Sequence, residues 1–215
     1  MKISAIIDQL ETLAPPALQE SYDNSGLIVG NREAEIESVL LCLDSTEEVV
    51  DEAIERGCGM VIAHHPILFS GLTSLTGKSY IERTLLKAIK NDIAIYSIHT
   101  NLDNDKNGVN QKIAQKIGLE NLEILSPKKS VLNKLVVFCP TESLEDVKKA
   151  IFDAGGGKIG AYDFCSFSSL GEGTFRAGEE ANPYLGNKGD LHKEKEFRVE
   201  IVLPSYLRDK VINAL

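Results

Sequence analysis

The sequence predicts an α/β protein: a largely parallel sheet core with helices on both faces, followed by a ferredoxin-like (α+β) module that is incomplete in this chain. Three observations carry that reading. Continuous apolar runs at Val39-Leu40-Leu41-Cys42-Leu43-Asp44, Met60-Val61-Ile62-Ala63 and Ile93-Ala94-Ile95-Tyr96-Ser97-Ile98 have the character of buried parallel strands. Between them lie stretches whose apolar residues recur at helical spacing. Beyond residue 130 the runs give way to alternating patterns, such as Phe197, Val199, Ile201 and Leu203, which suit strands with one face buried.

In chain order, Ile3, Ile6, Ile7, Leu10 and Leu13 share one helical face, and Ala14-Pro15-Pro16 stops that helix. Ser21-Tyr22-Asp23-Asn24-Ser25-Gly26 is a polar cluster of turn-forming residues that leads into a short apolar segment, Leu27-Ile28-Val29. After the Val39 strand, Ser45 and Glu48 stand at capping-box spacing and open a helix. Its apolar face is Val49, Val50, Ala53 and Ile54, and Gly57 or Gly59 ends it. Residues 79–90 form the next amphipathic helix, through Ile81, Leu85, Leu86 and Ile89. Residues 108–117 are helical again, with a short apolar segment at residues 122–125. Strand and helix alternating in this way give a mostly parallel sheet.

Pro127-Lys128-Lys129-Ser130 reads as a boundary, which divides the chain into 1–129 and 130–215. In the second part, residues 134–139 read as a strand and residues 142–154 as a helix. Gly155-Gly156-Gly157 turns the chain, and Tyr162 to Phe167 alternates as a half-exposed strand. A return segment at residues 171–176, a strand at 196–203 and a helix from 206 complete a β-α-β-β-α order. The last strand of a ferredoxin-like module is missing, so the sequence is expected to be the front part of a longer protein.

The 215 residues are 43% apolar, enough for a substantial core. No apolar run reaches membrane-spanning length, and the N-terminus lacks the long apolar region of a signal peptide. A net charge of −9 argues against a surface built to bind nucleic acid. The four cysteines form no C-x-x-C pair and read as reduced thiols of a cytoplasmic protein.

The chemistry concentrates where the apolar runs end. Met60 to Ala63 stops at His64-His65, and Pro66 blocks further regular pairing. Adjacent side chains in a regular strand face opposite ways, so two neighbouring histidines reach one cleft only where the backbone turns. Asp44, His64, His65, His99 and Asp103 all fall at or beyond the carboxyl ends of successive strands. That edge is where open α/β sheets bind ligands. Imidazole and carboxylate are the usual ligands of zinc, iron and manganese. The plainer alternative is a set of hydrogen-bonded structural histidines.

Tyr22-Asp23-Asn24-Ser25-Gly26-Leu27, Ala63-His64-His65-Pro66 and His99-Thr100-Asn101-Leu102-Asp103, followed by Gly108-Val109-Asn110, together resemble the Nif-three-like dinuclear metal-binding family, whose members are often labelled GTP cyclohydrolase type 2 homologues. Phe175-Arg176 through Asn182-Pro183-Tyr184-Leu185-Gly186 resembles a recurring stretch of the domain that longer bacterial members insert. The resemblance implies two divalent metal ions per subunit (zinc, iron or manganese) in a homo-oligomer, a hexameric ring. Its ligand positions match His64, His65 and Asp103. It also implies a histidine and a glutamate from a later G-H-x-x-S-E-like motif, which these 215 residues lack, so weak metal binding is expected of the chain alone. His192 and Glu196 stand one helical turn apart in the insert, but the role is not transferred to them.

The expected activity is metal-dependent hydrolysis of a small molecule, and the family label points to a nucleotide, GTP. His99 is the candidate catalytic residue, in proton transfer, and a structural histidine fits it equally. Asp23 and Asn24 are candidates for binding substrate. A non-enzymatic metal-binding scaffold or regulatory protein is the alternative. Glu172, Glu179 and Glu180 read as solvated loop charges.

Overall fold

The computed structural model describes residues 1–129, 131–184 and 186–215. Ser130, part of the expected boundary, and Leu185, part of the recurring stretch, lie outside the described residues. The chain separates into two compact units, Met1–Pro127 and Lys128–Leu215.

The first unit is built on a four-stranded sheet of β1 (Gly26–Val29), β2 (Val39–Cys42), β3 (Met60–Ala63) and β4 (Ala94–Ser97), in the order β1-β4-β3-β2. β2, β3 and β4 run parallel, with Leu41 opposite Ile62 and Ile62 opposite Tyr96. β1 joins β4 antiparallel. The β-branched and apolar run of β3 is buried at every position, because both of its faces are covered. On one face α2 (Glu47–Glu55) and α3 (Tyr80–Lys90) press Val50, Ala53, Leu85 and Ala88 against Val61 and Ile95. On the other, α1 (Ile3–Leu13) sets Ile3 and Ile7 against Met60, Ile62, Ala94 and Tyr96. Each buried Val, Leu, Ile or Met side chain among them contributes about 1.5–3 kcal/mol, so these two layers hold the sheet in place.

Two details differ from the sequence expectation. β2 is not a fully buried strand. It lies at the sheet edge, and Leu41 is 71% exposed because α1 covers the β3–β4 half of that face. Helix α2 is capped by Thr46, not Ser45: the Thr46 hydroxyl accepts the Val49 N–H at 3.3 Å, so the helix starts one residue later than the capping-box spacing implies. A side-chain cap with a glutamate at the third helical position does occur at α3. There the Ser79 hydroxyl accepts the Glu82 N–H at 3.2 Å, and the Glu82 carboxylate in turn takes the Thr76 N–H at 2.7 Å. The short apolar segment at residues 122–125 belongs to neither helix nor strand, and Leu125 is fully exposed. Gly57 does end α2, at φ +66°, a conformation that costs a residue without a Cβ little.

After β4 the chain forms a single turn of helix, α4 (Thr100–Asp103), and then α5 (Val109–Lys116). In the second unit the order is β5 (Leu132–Pro140), α6 (Leu144–Asp153), β6 (Phe167–Arg176), β7 (Leu191–Pro204) and α7 (Arg208–Ile212). The sheet order is β5-β7-β6 and both pairings are antiparallel, with Leu135 opposite Ile201. Cys139, Val199, Ile201 and Leu203 pack with Ile151, Ala154 and Val211. The alternation at residues 162–167 does not mark a strand: Tyr162 makes an isolated bridge to Ile159, and pairing with β7 begins at Phe167. Among the described residues no helix is long and apolar enough to cross a membrane.

Candidate metal centre

The β2–β3 ladder continues for two hydrogen bonds past the strand ends. The His64 N–H donates to the Cys42 carbonyl at 3.2 Å, and the His65 N–H to the Leu43 carbonyl at 2.9 Å. On the other side the Ile98 N–H donates to the Ala63 carbonyl at 2.9 Å. The backbone carrying both histidines is thus pinned while it leaves the pleat, and both rings turn into one cleft with His99. Ring centroids lie 4.9 Å apart for His64 and His65, 5.3 Å for His64 and His99, and 5.5 Å for His65 and His99. One ring nitrogen from each of the three lies within 4.8 Å of the others.

The Nδ1 atoms decide which nitrogen is available. His64 Nδ1 is 2.9 Å from the Ile98 carbonyl oxygen, which can only accept, so this nitrogen carries the proton. His65 Nδ1 faces Asp44 Oδ1 at 2.8 Å, and His99 Nδ1 faces Asp23 Oδ1 at 2.8 Å. With an ionised carboxylate behind each, these also donate from Nδ1. All three Nε2 lone pairs are left for a ligand. An imidazole whose other nitrogen donates to a carboxylate or carbonyl is the usual arrangement of a metal-binding histidine.

The two carboxylates differ. Asp44 is 59% exposed, whereas the Asp23 side chain has no exposed surface. Burial pushes the Asp23 carboxyl up, but hydrogen bonds from the Thr100 hydroxyl, His99 and the Asn24 and Thr100 amides outweigh it and hold the group well below the usual carboxylate range. Asp103 approaches from α4: its Oδ1 is 3.7 Å from His64 Nε2, too long for a hydrogen bond and suited to two ligand atoms flanking one ion. Three neutral imidazoles with a carboxylate beside them make a nitrogen and oxygen donor set that fits zinc, iron or manganese.

The sequence-predicted residues therefore fall into distinct places. His64 and His65 share the cleft with His99, the residue expected in proton transfer, and Asp103 stands against His64. Asp23, expected at the substrate, lies behind His99. Asn24 donates from Nδ2 to the Leu68 carbonyl at 2.8 Å and ties the turn to the loop after Pro66. That loop puts the Phe69 ring 5.9 Å from His99. His192 is in strand β7 and pairs with Glu194 at 3.2 Å, so its helical spacing to Glu196 has no structural meaning. Sequence reasoning missed Thr100, Ser25 and the Ile98 carbonyl. The first two stand inside the quoted motifs and carry hydroxyls, the one available signal.

A family model described as Duf34/NIF3 (NGG1p interacting factor 3) matches residues 1–198. A protein named GTP cyclohydrolase 1 type 2 homolog from Halalkalibacterium halodurans is 40% identical over 219 residues, covering 100% of this chain and 59% of the relative. Its namesake from Bacillus subtilis is 39% identical, covering 98% of this chain and 57% of the relative. Among solved structures, a Bacillus cereus protein related to NIF3 aligns with a TM-score of 0.83 and 42% identity over 100% of this chain and 57% of its own. A Staphylococcus aureus protein aligns at 0.67 with 32% identity, over 100% of this chain and 55% of its own. The chain thus spans somewhat under three fifths of the length of these relatives. The match runs from α1 through most of β7 and so takes in every residue of the histidine cleft: the chain belongs to the Duf34/NIF3 family.

Proposed function

We propose that the histidine cleft is a metal centre and that the protein is a metal-dependent hydrolase of a small molecule, with a nucleotide such as GTP the first substrate to test. The observation that carries this is the convergence of three imidazoles that each bring one ring nitrogen within 4.8 Å of the others, while each Nδ1 is committed to a carbonyl or carboxylate. His64, His65 and His99 hold the ion, with Asp103 beside them to offset its charge. A bound divalent ion supplies Lewis acidity that lowers the pKa of a coordinated water toward neutrality. Three imidazole donors leave the fourth position of a tetrahedral ion open for that water. The dinuclear site and hexameric ring implied by the family resemblance need further donors and a partner surface, and both are part of the proposal. The relatives' name supports a purine nucleotide as substrate.

A second reading, a non-enzymatic metal-binding scaffold or regulatory oligomer, is favoured by the separate second unit, which contributes none of the clustered histidines. Metal analysis of the purified chain, with assays on GTP and a panel of phosphoesters, separates the two. Turnover lost in His65→Ala supports the hydrolase. Stoichiometric metal with no turnover across the panel supports the scaffold. A chain that binds no divalent ion even at millimolar concentration would remove both.

A further inference from the structure

We propose that Asp23 is a positioning residue of the metal centre: it fixes His99 in the tautomer that leaves Nε2 open to a metal, and it makes no contact with substrate. This rests on reading the histidine cleft as a metal centre. The Asp23 side chain has no exposed surface. Its Oδ1 accepts from His99 Nδ1 at 2.8 Å and from the Asn24 N–H at 2.7 Å. Its Oδ2 accepts from the Thr100 N–H and the Ser25 hydroxyl, both at 3.0 Å, and from the Thr100 hydroxyl. A carboxylate offers about four lone-pair sites, so these donors leave no capacity for a further ligand.

The Asn24 and Thr100 amides can only donate. The buried position therefore demands an acceptor at both oxygens, which an aspartate supplies and an asparagine does not. An asparagine at position 23 keeps one oxygen. Turned toward Thr100, where three donors gather, it leaves its NH2 facing His99 Nδ1. The Asn24 amide, on the same side, loses its acceptor and cannot adapt, but the imidazole can. It accepts at Nδ1, moves its proton to Nε2 and loses the lone pair a metal needs. The same replacement in a Ser-His-Asp triad preserves the geometry and traps the wrong tautomer. Asp44 does the corresponding work for His65 from the surface, where water can take its place.

Three variants of the full chain test this: Asp23→Asn, Asp44→Asn and Thr100→Val. Ring nitrogen–proton NMR of the ion-free protein reads the His99 tautomer, and competition with a chromophoric chelator reads zinc affinity. The wild-type chain should show His99 protonated at Nδ1. Asp23→Asn should move the proton to Nε2 and lower zinc affinity about 10- to 100-fold, the range typical for removing the partner of a metal-bound histidine. Asp44→Asn should cost less than about fivefold, as an exposed charged partner is worth little. Thr100→Val should lower thermal stability yet keep the His99 tautomer and zinc affinity. His99 protonated at Nε2 in the wild-type chain would overturn the proposal, whether or not the Asp23 variant folds. So would zinc affinity in folded Asp23→Asn equal to wild type, or an equal loss in Thr100→Val, which would mark Asp23 as part of the scaffold only. A wild-type chain that fails to bind zinc removes the metal reading, while the tautomer measurement still decides what Asp23 does.

Discussion

Asn101, buried without exposed surface, donates from Nδ2 to the Ala14 carbonyl at 2.7 Å, across 87 residues of sequence, while its Oδ1 accepts the His99 N–H at 2.9 Å. One side chain thus satisfies the end of the α1 segment and the backbone of a cleft histidine. Asn101→Ala leaves both groups buried and unpaired. The expected loss is about 1–3 kcal/mol for each, measured by urea denaturation. Asn101→Asp, which sets a carboxylate oxygen against the Ala14 carbonyl, should destabilise more.

Glu82 links acid stability to the loop before α3. The Thr76 N–H, outweighing partial burial, and the Lys78 N–H hold its carboxyl down from 4.5 to about 2. As pH falls, the unfolded chain takes up this proton first, near 4.5. The stabilisation is therefore complete above that value and is lost as pH falls through the window down to about 2. The gap in Tm between wild type and Glu82→Gln should be widest above pH 5, close steadily below 4.5, and be read by calorimetry.

The Tyr96 hydroxyl is buried and has no hydrogen-bond partner among the described residues, and burial pushes its pKa up to about 12. Tyr96→Phe removes the orphaned group and keeps the ring. Its stability should equal or exceed wild type, by up to about 1–3 kcal/mol. A loss of stability would instead reveal a partner for the hydroxyl.

Gly108 caps α5 against the α4 turn. A Cβ there would lie 1.8 Å from the Leu102 carbonyl oxygen, which a closed turn cannot accommodate. Gly108→Ala should cost about 1–3 kcal/mol as α4 shifts. Because α4 carries Asp103, zinc affinity should fall along with thermal stability, and both are measurable on one preparation.

The sheet was legible because strands buried on both faces leave long apolar runs, as at residues 60–63 and 94–97. The β2 edge was not: Val39 to Leu43 carries the same composition, and neither periodicity nor apolar content says which end of a sheet a strand occupies. The α2 cap moved by one residue because Ser45 and Thr46 are chemically equivalent, and only the backbone angles choose between them. At the site, His64 and His65 stood out by their place at a strand end. The part played by Asp23 did not, since turn chemistry explains a D-N-S-G sequence equally well. Its partner, His99, lies 76 residues away, a distance that local spacing cannot bridge.

That separation orders events during synthesis. Asp23 leaves the ribosome 76 residues before His99, an interval of roughly 4–15 s at the usual 5–20 residues per second. Throughout it, the carboxylate is hydrated and the Ala14 carbonyl has no amide to receive. The nascent chain can present His64 and His65 but not a third imidazole, so the three-histidine cluster does not yet exist. The cluster forms only when the 99–104 turn has emerged and closed on residues 14–25, so the order of synthesis sets when the cleft is complete.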